Sequence, residues 1–124
     1  MNKDELIKLI DSLEIDLEEF WILSSSSLVL RDLFPSANDL DIAVTEKGLN
    51  QLKQKYELKK SEYTDWYKVN DKVECVLDTK EPHKVEKYGK YNLLSLEEYY
   101  NFLKNSKREK DKIKFEIVKK ELNK

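Results

Sequence analysis

Phe20-Trp21-Ile22-Leu23-Ser24-Ser25-Ser26-Ser27-Leu28-Val29-Leu30, followed shortly by Asn38-Asp39-Leu40-Asp41-Ile42-Ala43-Val44, is the part of the chain whose reading decides the fold. The run Phe20 to Leu23 is apolar, too short for a helix and rich in strand formers, which predicts a buried strand. Serine is a favoured helix N-cap. The order is therefore strand, serine turn and helix, with the helix covering Leu28 to Phe34 and Pro35 ending it. Asn38 to Val44 alternates polar and apolar residues before an apolar end, which predicts a second strand. A single helix joins the two strands, so they are expected to be neighbours in one sheet.

Upstream, Leu6, Ile7, Leu9, Ile10 and Leu13 lie at helical spacing among charges, predicting a helix over residues 3 to 13. Downstream, Thr45 or Glu46 opens a helix carrying Leu49, Leu52 and Tyr56. From Leu58 the period changes to two, with a turn at Asn70-Asp71 and a strand over Val73 to Leu77. Thr79 to Gly89 reads as polar loop, and Tyr91 to Leu94 as a short strand. Ser95 with Glu98 forms a capping box for a helix through Leu103. An amphipathic helix over Lys110 to Leu122 follows. No repeat, low-complexity segment or linker divides residues 1–124, so one α/β (α+β) domain is expected, a small mixed β-sheet flanked by helices.

The 124 residues carry 23 basic and 25 acidic side chains, a net charge of −2. This mixture gives no basic field of the kind that drives non-specific nucleic-acid binding. The one cysteine, Cys75, excludes an internal disulfide and fits a reducing, cytoplasmic setting. No apolar run reaches the ~18–20 residues of a membrane span, and the residues around Lys3-Asp4-Glu5 lack the apolar core of a signal peptide.

Asp39 and Asp41 are two residues apart on a strand, which puts both side chains on one face. Adjacent half-buried carboxylates repel and lose hydration. A divalent cation offsets that cost, and Mg²⁺ takes one or two carboxylates with water and phosphate oxygens. The bland alternative is a pair of acids at a strand edge in water. A serine turn at a helix start offers N–H groups and hydroxyls to an anion. Plain capping explains one serine and leaves three over. Glu74 is the one charged residue in its apolar strand, on the face opposite Val73, Cys75 and Leu77. It is either a third ligand or an exposed surface residue.

Leu23-Ser24-Ser25-Ser26-Ser27-Leu28-Val29-Leu30-Arg31-Asp32 and Asn38-Asp39-Leu40-Asp41-Ile42-Ala43-Val44 together resemble the signature of the DNA polymerase β-type nucleotidyltransferase superfamily. In its small bacterial members a Gly-Ser turn begins a helix, an Asp-x-Asp strand follows, and a third acid stands on a later strand, here Lys72-Val73-Glu74-Cys75-Val76. Leu94-Ser95-Leu96-Glu97-Glu98 and Arg108-Glu109-Lys110-Asp111 also resemble a segment of these members. The resemblance spans roughly residues 20 to 115 and implies a nucleotidyltransferase-like fold. It implies that Asp39, Asp41 and Glu74 are metal ligands and catalytic groups for one or two Mg²⁺ ions, and that Ser24 and Ser25 hold the phosphates of an NTP. The implied reaction moves a nucleoside monophosphate onto a hydroxyl of a small molecule, protein or RNA. Two positions depart from the family: Ser24 stands where its turn begins with Gly, and Asp32 stands near the Gly that ends its helix. These departures motivate an alternative, a catalytically weak or inactive, antitoxin-like member that binds a protein partner. A plain α/β domain with acids as surface decoration is the third reading.

The single histidine, His83, lies in polar loop and reads as solvated. Cys75 reads as a small core residue. Trp66, Tyr63 and Tyr67 suit sheet packing or stacking on a base, and Tyr88, Tyr91, Tyr99 and Tyr100 core or rim. Lys104 to Lys114 reads as a solvated basic face from which Lys107, Arg108 and Lys110 can reach a phosphate or an acidic partner.

Overall fold

Asn2 begins the first helix, α1 (Lys3–Ser12), with a capping box: its side chain accepts the Glu5 N–H while the Glu5 carboxylate accepts the Asn2 N–H. The computed structural model of the chain describes residues 1–78 and 84–124. Through these run five α-helices and one mixed seven-stranded sheet. After α1 a 3-10 turn (Leu17–Glu19) leads into β1 (Phe20–Ile22), α2 (Ser24–Leu30), β2 (Leu40–Val44) and α3 (Glu46–Lys55). Then come β3 (Lys59–Lys60), β4 (Trp66–Lys68), β5 (Val73–Leu77), β6 (Val85–Tyr88), β7 (Tyr91–Leu94), α4 (Leu96–Lys104) and α5 (Lys110–Leu122). The strand order is β3-β4-β5-β2-β1-β7-β6. β2 pairs antiparallel with β1 and parallel with β5, so the two strands expected to be neighbours are neighbours.

One sheet face carries Phe20, Ile22, Leu40, Ile42, Val44, Val73, Cys75 and Leu93, all buried against α1, α3 and part of α2. Alternation of apolar and polar residues along β2 and β5 produces this one-sided burial. A second, smaller core joins Leu28 of α2 to Leu96, Tyr99 and Leu103 of α4 and Val118 of α5. Burial pushes the Cys75 thiol up to about 11, which suits an inert core residue. Both sheet edges carry charge, Lys59 and Lys60 on β3 and Glu86 and Lys87 on β6, a common protection against edge pairing. No helix among the described residues is long and apolar enough to cross a membrane.

Four local expectations are corrected. The helix after the serines covers Ser24–Leu30, and Pro35 does not end it. A Schellman closure does: Asp32 N–H donates to Val29 O at 3.0 Å and Leu33 N–H to Leu28 O at 2.9 Å, with Asp32 at φ 62°. No serine caps this helix, because Leu23 occupies the N-cap position and Ser24 is already its first residue. The stretch read as polar loop contains β6, whose exposed residues are held by pairing with β7 and carry no hydrophobic pattern. Glu98 does not close a capping box; Ser95 Oγ accepts its N–H, but its carboxylate accepts the N–H of Lys84. His83 and the rest of 79–83 lie outside the described residues.

Gly48 lies in α3 where that helix crosses the 3-10 turn. A Cβ at this position would stand 2.5 Å from Glu19 O and 3.3 Å from Val44 Cβ. Gly48→Ala is expected to lower stability by about 1–3 kcal/mol through overpacking, against the ~1 kcal/mol that alanine gains in a helix. Urea unfolding checks the sign.

Candidate functional site

β2 carries Asp41 on the face opposite its buried Leu40, Ile42 and Val44, and the parallel register sets Asp41 beside Glu74 of β5. Asp39 lies just before β2 and is exposed, so the acidic pair spans the strand's entrance and only Asp41 is in the ladder. Burial, then Glu74, then Asp39 push the Asp41 carboxyl up to about 6, with Lys110 and Lys114 opposing. The three acids singled out from the sequence therefore interact electrostatically. As placed, no group of three or more His, Cys, Asp or Glu among the described residues is arranged to hold a metal ion by itself.

The four serines separate into two pairs. Ser26 and Ser27 are buried; Ser26 Oγ donates to Asp39 O at 2.9 Å and Ser27 Oγ to Ser24 O at 2.6 Å. The first bond ties the serine turn to the residue that precedes β2. Leu23 N–H donates to Asp41 O at 2.9 Å, a second tie between the same segments. Ser24 and Ser25 are left facing a recess of about 180 Å³, which Asn38, Asp39 and Asp41 also line. Ser24 has φ 56°, a left-handed conformation that favours glycine. Both positions where the sequence departs from a glycine pattern, Ser24 and Asp32, thus have the backbone that glycine would adopt freely.

The opposite wall comes from the end of α4 and the start of α5. Arg108, Lys110 and Lys114 line it, with Tyr99, Phe102 and Asp111. Lys110 and Lys114 are four residues apart and share one helix face. Asp111 is buried (3 % exposed) and anchors the wall, accepting from Ser106 Oγ at 2.6 Å and Arg108 Nε at 2.8 Å. Burial alone would raise its pKa, but these two bonds and the Arg108 charge hold the carboxyl below its usual range. Burial pushes the Lys114 ammonium down; Asp111 and Asp41 oppose that shift, and Lys110 and Arg108 add to it. Tyr99, buried and within hydrogen-bonding reach of Ser25, has its phenol pushed up, chiefly by burial and then by Asp111.

The sequence-derived set Ser24, Ser25, Asp39 and Asp41 thus meets in one recess, with Glu74 adjoining Asp41 along the sheet. Lys107 does not line this recess. Arg108 and Lys110, two of the three basic residues read as able to reach a phosphate, do line it, but periodicity carries no sign of which helix flank meets a distant strand. Lys114 and Phe102 were missed for that reason. Comparisons with protein-family models, with curated proteins and with solved structures gave no match to this chain.

The folded chain binds the Asp41 proton more tightly than the unfolded chain, whose carboxyl titrates near 3.8. Its contribution to stability is therefore complete below 3.8 and is lost as pH rises through about 6. Asp41→Asn in chelator is expected to raise stability near neutral pH by about 1–2 kcal/mol, the full shift being discounted for partial exposure. That advantage should vanish in acid; thermal unfolding at both pH values measures it.

Proposed function

We propose that the recess binds the triphosphate of an NTP with Mg²⁺, and that the chain is a nucleotidyltransferase with the nucleotidyltransferase-like fold of the DNA polymerase β superfamily. The observation that carries the reading is one recess with carboxylates on one wall, Asp39 and Asp41, and cations on the other, Arg108, Lys110 and Lys114. A ligand satisfying both walls must bear a divalent cation and several anionic oxygens together. A magnesium-bound triphosphate does so.

The residues suit such an ion. Mg²⁺ needs only one or two carboxylates when water and phosphate oxygens complete its shell, so Asp39 and Asp41, with Glu74 beside Asp41, would hold one or two ions. A bound Mg²⁺ would supply charge neutralisation for the phosphates and for charge developing in the transfer. Ser24 and Ser25 offer hydroxyl and backbone donors at the floor. The seven-residue α2 contributes a short dipole, so Arg108, Lys110 and Lys114 supply most of the attraction for phosphate. An acceptor hydroxyl of a small molecule, protein or RNA attacks the α-phosphorus while pyrophosphate departs with the bonding electrons. Glu74, exposed and next to Asp41 in the sheet, would take the hydroxyl proton in this reading.

A second reading, a non-catalytic module for a protein partner, is favoured by Ser24, whose backbone is left-handed and whose side chain lines the recess where the resembled family has glycine. The two readings separate on turnover. Titration of ATP with Mg²⁺ should give saturable binding to wild type that the Asp39→Ala, Asp41→Ala double variant loses, and labelling from radioactive NTPs in cell extract should need wild type. Equal binding by both proteins sinks the nucleotide reading. Binding without label on any acceptor, together with a stoichiometric protein partner, selects the second. Ser24→Gly is expected to relieve roughly 1 kcal/mol of backbone strain and to tighten ATP binding several-fold, measured by calorimetry.

A further inference from the structure

Phe102 is 54 % exposed at the rim of the charged recess. It lies on the flank of α4, off the face that buries Leu96, Tyr99 and Leu103. Single exposed aromatics are common, but the placement of this one is particular. The other residues lining the recess are charged or polar, save Tyr99, which is only 2 % exposed. Phe102 is thus the one substantial apolar surface that the recess offers. Tyr99 stacks on its ring at 6.3 Å with planes 25° apart, and the Arg108 guanidinium lies loosely over the ring 6.0 Å from its centroid, a half-exposed side chain that an incoming base would displace from the ring face. Tyr99 in turn is buried and within reach of Ser25.

Size adds a constraint. Pockets that enclose a drug-sized ligand measure roughly 300–1,000 Å³, and this recess measures about 180 Å³. It has room for phosphates with their cation, and a nucleoside attached to them must extend over the rim.

We propose that Phe102 is the base-stacking residue of the nucleotide site, the nucleobase lying on its exposed ring while the phosphates occupy the recess. The inference rests on the nucleotide reading of that recess. Stacking uses the π-face that every base has, so Phe102 gives affinity with little discrimination among bases. Larger purines gain more from the ring than pyrimidines do.

The test compares ATP with inorganic tripolyphosphate, each with Mg²⁺, on wild type, Phe102→Ala and Phe102→Trp. Wild type should bind ATP about tenfold more tightly than tripolyphosphate, and Phe102→Ala should remove that difference. Tripolyphosphate affinity should be unchanged in Phe102→Ala, which also shows that the recess is intact, and Phe102→Trp should restore ATP binding. If Phe102→Ala binds ATP as wild type does, or loses both ligands equally, base stacking on Phe102 is wrong and the nucleotide reading stands. If wild type binds neither ligand better than the Asp39→Ala, Asp41→Ala variant, both fall.

Discussion

Leu40 lies opposite Val73 and Val44 opposite Leu77, and this parallel alignment of β2 with β5 fixes the remaining geometry. The alignment is determined by burial. A slip of one residue would turn Leu40, Ile42 and Val44 out to solvent and drive Asp41 into the core. Held in this register, Asp41 has Glu74 as its lateral neighbour, and their repulsion follows from the alignment that buries the apolar face. Hydrophobic packing thereby maintains two neighbouring carboxylates that would separate if free to do so.

Arg31 performs a comparable task on the other side of α2. It is 5 % exposed; Nη2 donates to Leu94 O at 2.8 Å and to Glu86 Oε1 at 3.3 Å, and the guanidinium lies 5.5 Å from the Tyr88 ring centroid. Glu86 also accepts the N–H of Leu96 at 2.7 Å, so one carboxylate joins the end of α2 to the start of α4. Arg31 Nε is buried without a hydrogen-bond partner. An imperfect polar hub is retained here, at the point where α2, the β6–β7 hairpin and α4 meet. The position of the basic wall depends on how α4 is seated, so this hub lies behind the site.

The sheet's central strands and the carboxylates were legible in the sequence because their signals are local: alternation along β2 and β5, and charge inside an apolar run. β6 was not, since Val85 to Tyr88 are all exposed and are strand only by virtue of β7. The end of α2 was misplaced because Pro35 was taken as its terminator, whereas Asp32, a short polar residue, tolerates the left-handed turn that closes the helix three residues earlier. The acids and serines of the recess were legible, Arg108 and Lys110 were legible only as residues able to reach a phosphate, and Lys114 was not singled out. Ser24, Ser25, Asp39 and Asp41 come from neighbouring segments, but Arg108, Lys110 and Lys114 arrive from the far end of the domain through tertiary packing. The serine repeat named Ser24 and Ser25 as the pair for a ligand, and these line the recess; the backbone-stapling roles of Ser26 and Ser27 come from burial, which the repeat does not encode.

The two walls are also separated in time. Asp39, Asp41 and Glu74 leave the ribosome before the β6–β7 hairpin, α4 and the start of α5 have been made. A domain generally folds as a unit, so the acidic and basic sides of the recess form together once both have been made. Docking of α5 brings Lys110 and Lys114 to the carboxylate whose charge they moderate, so the recess is balanced only where both ends of the domain are present.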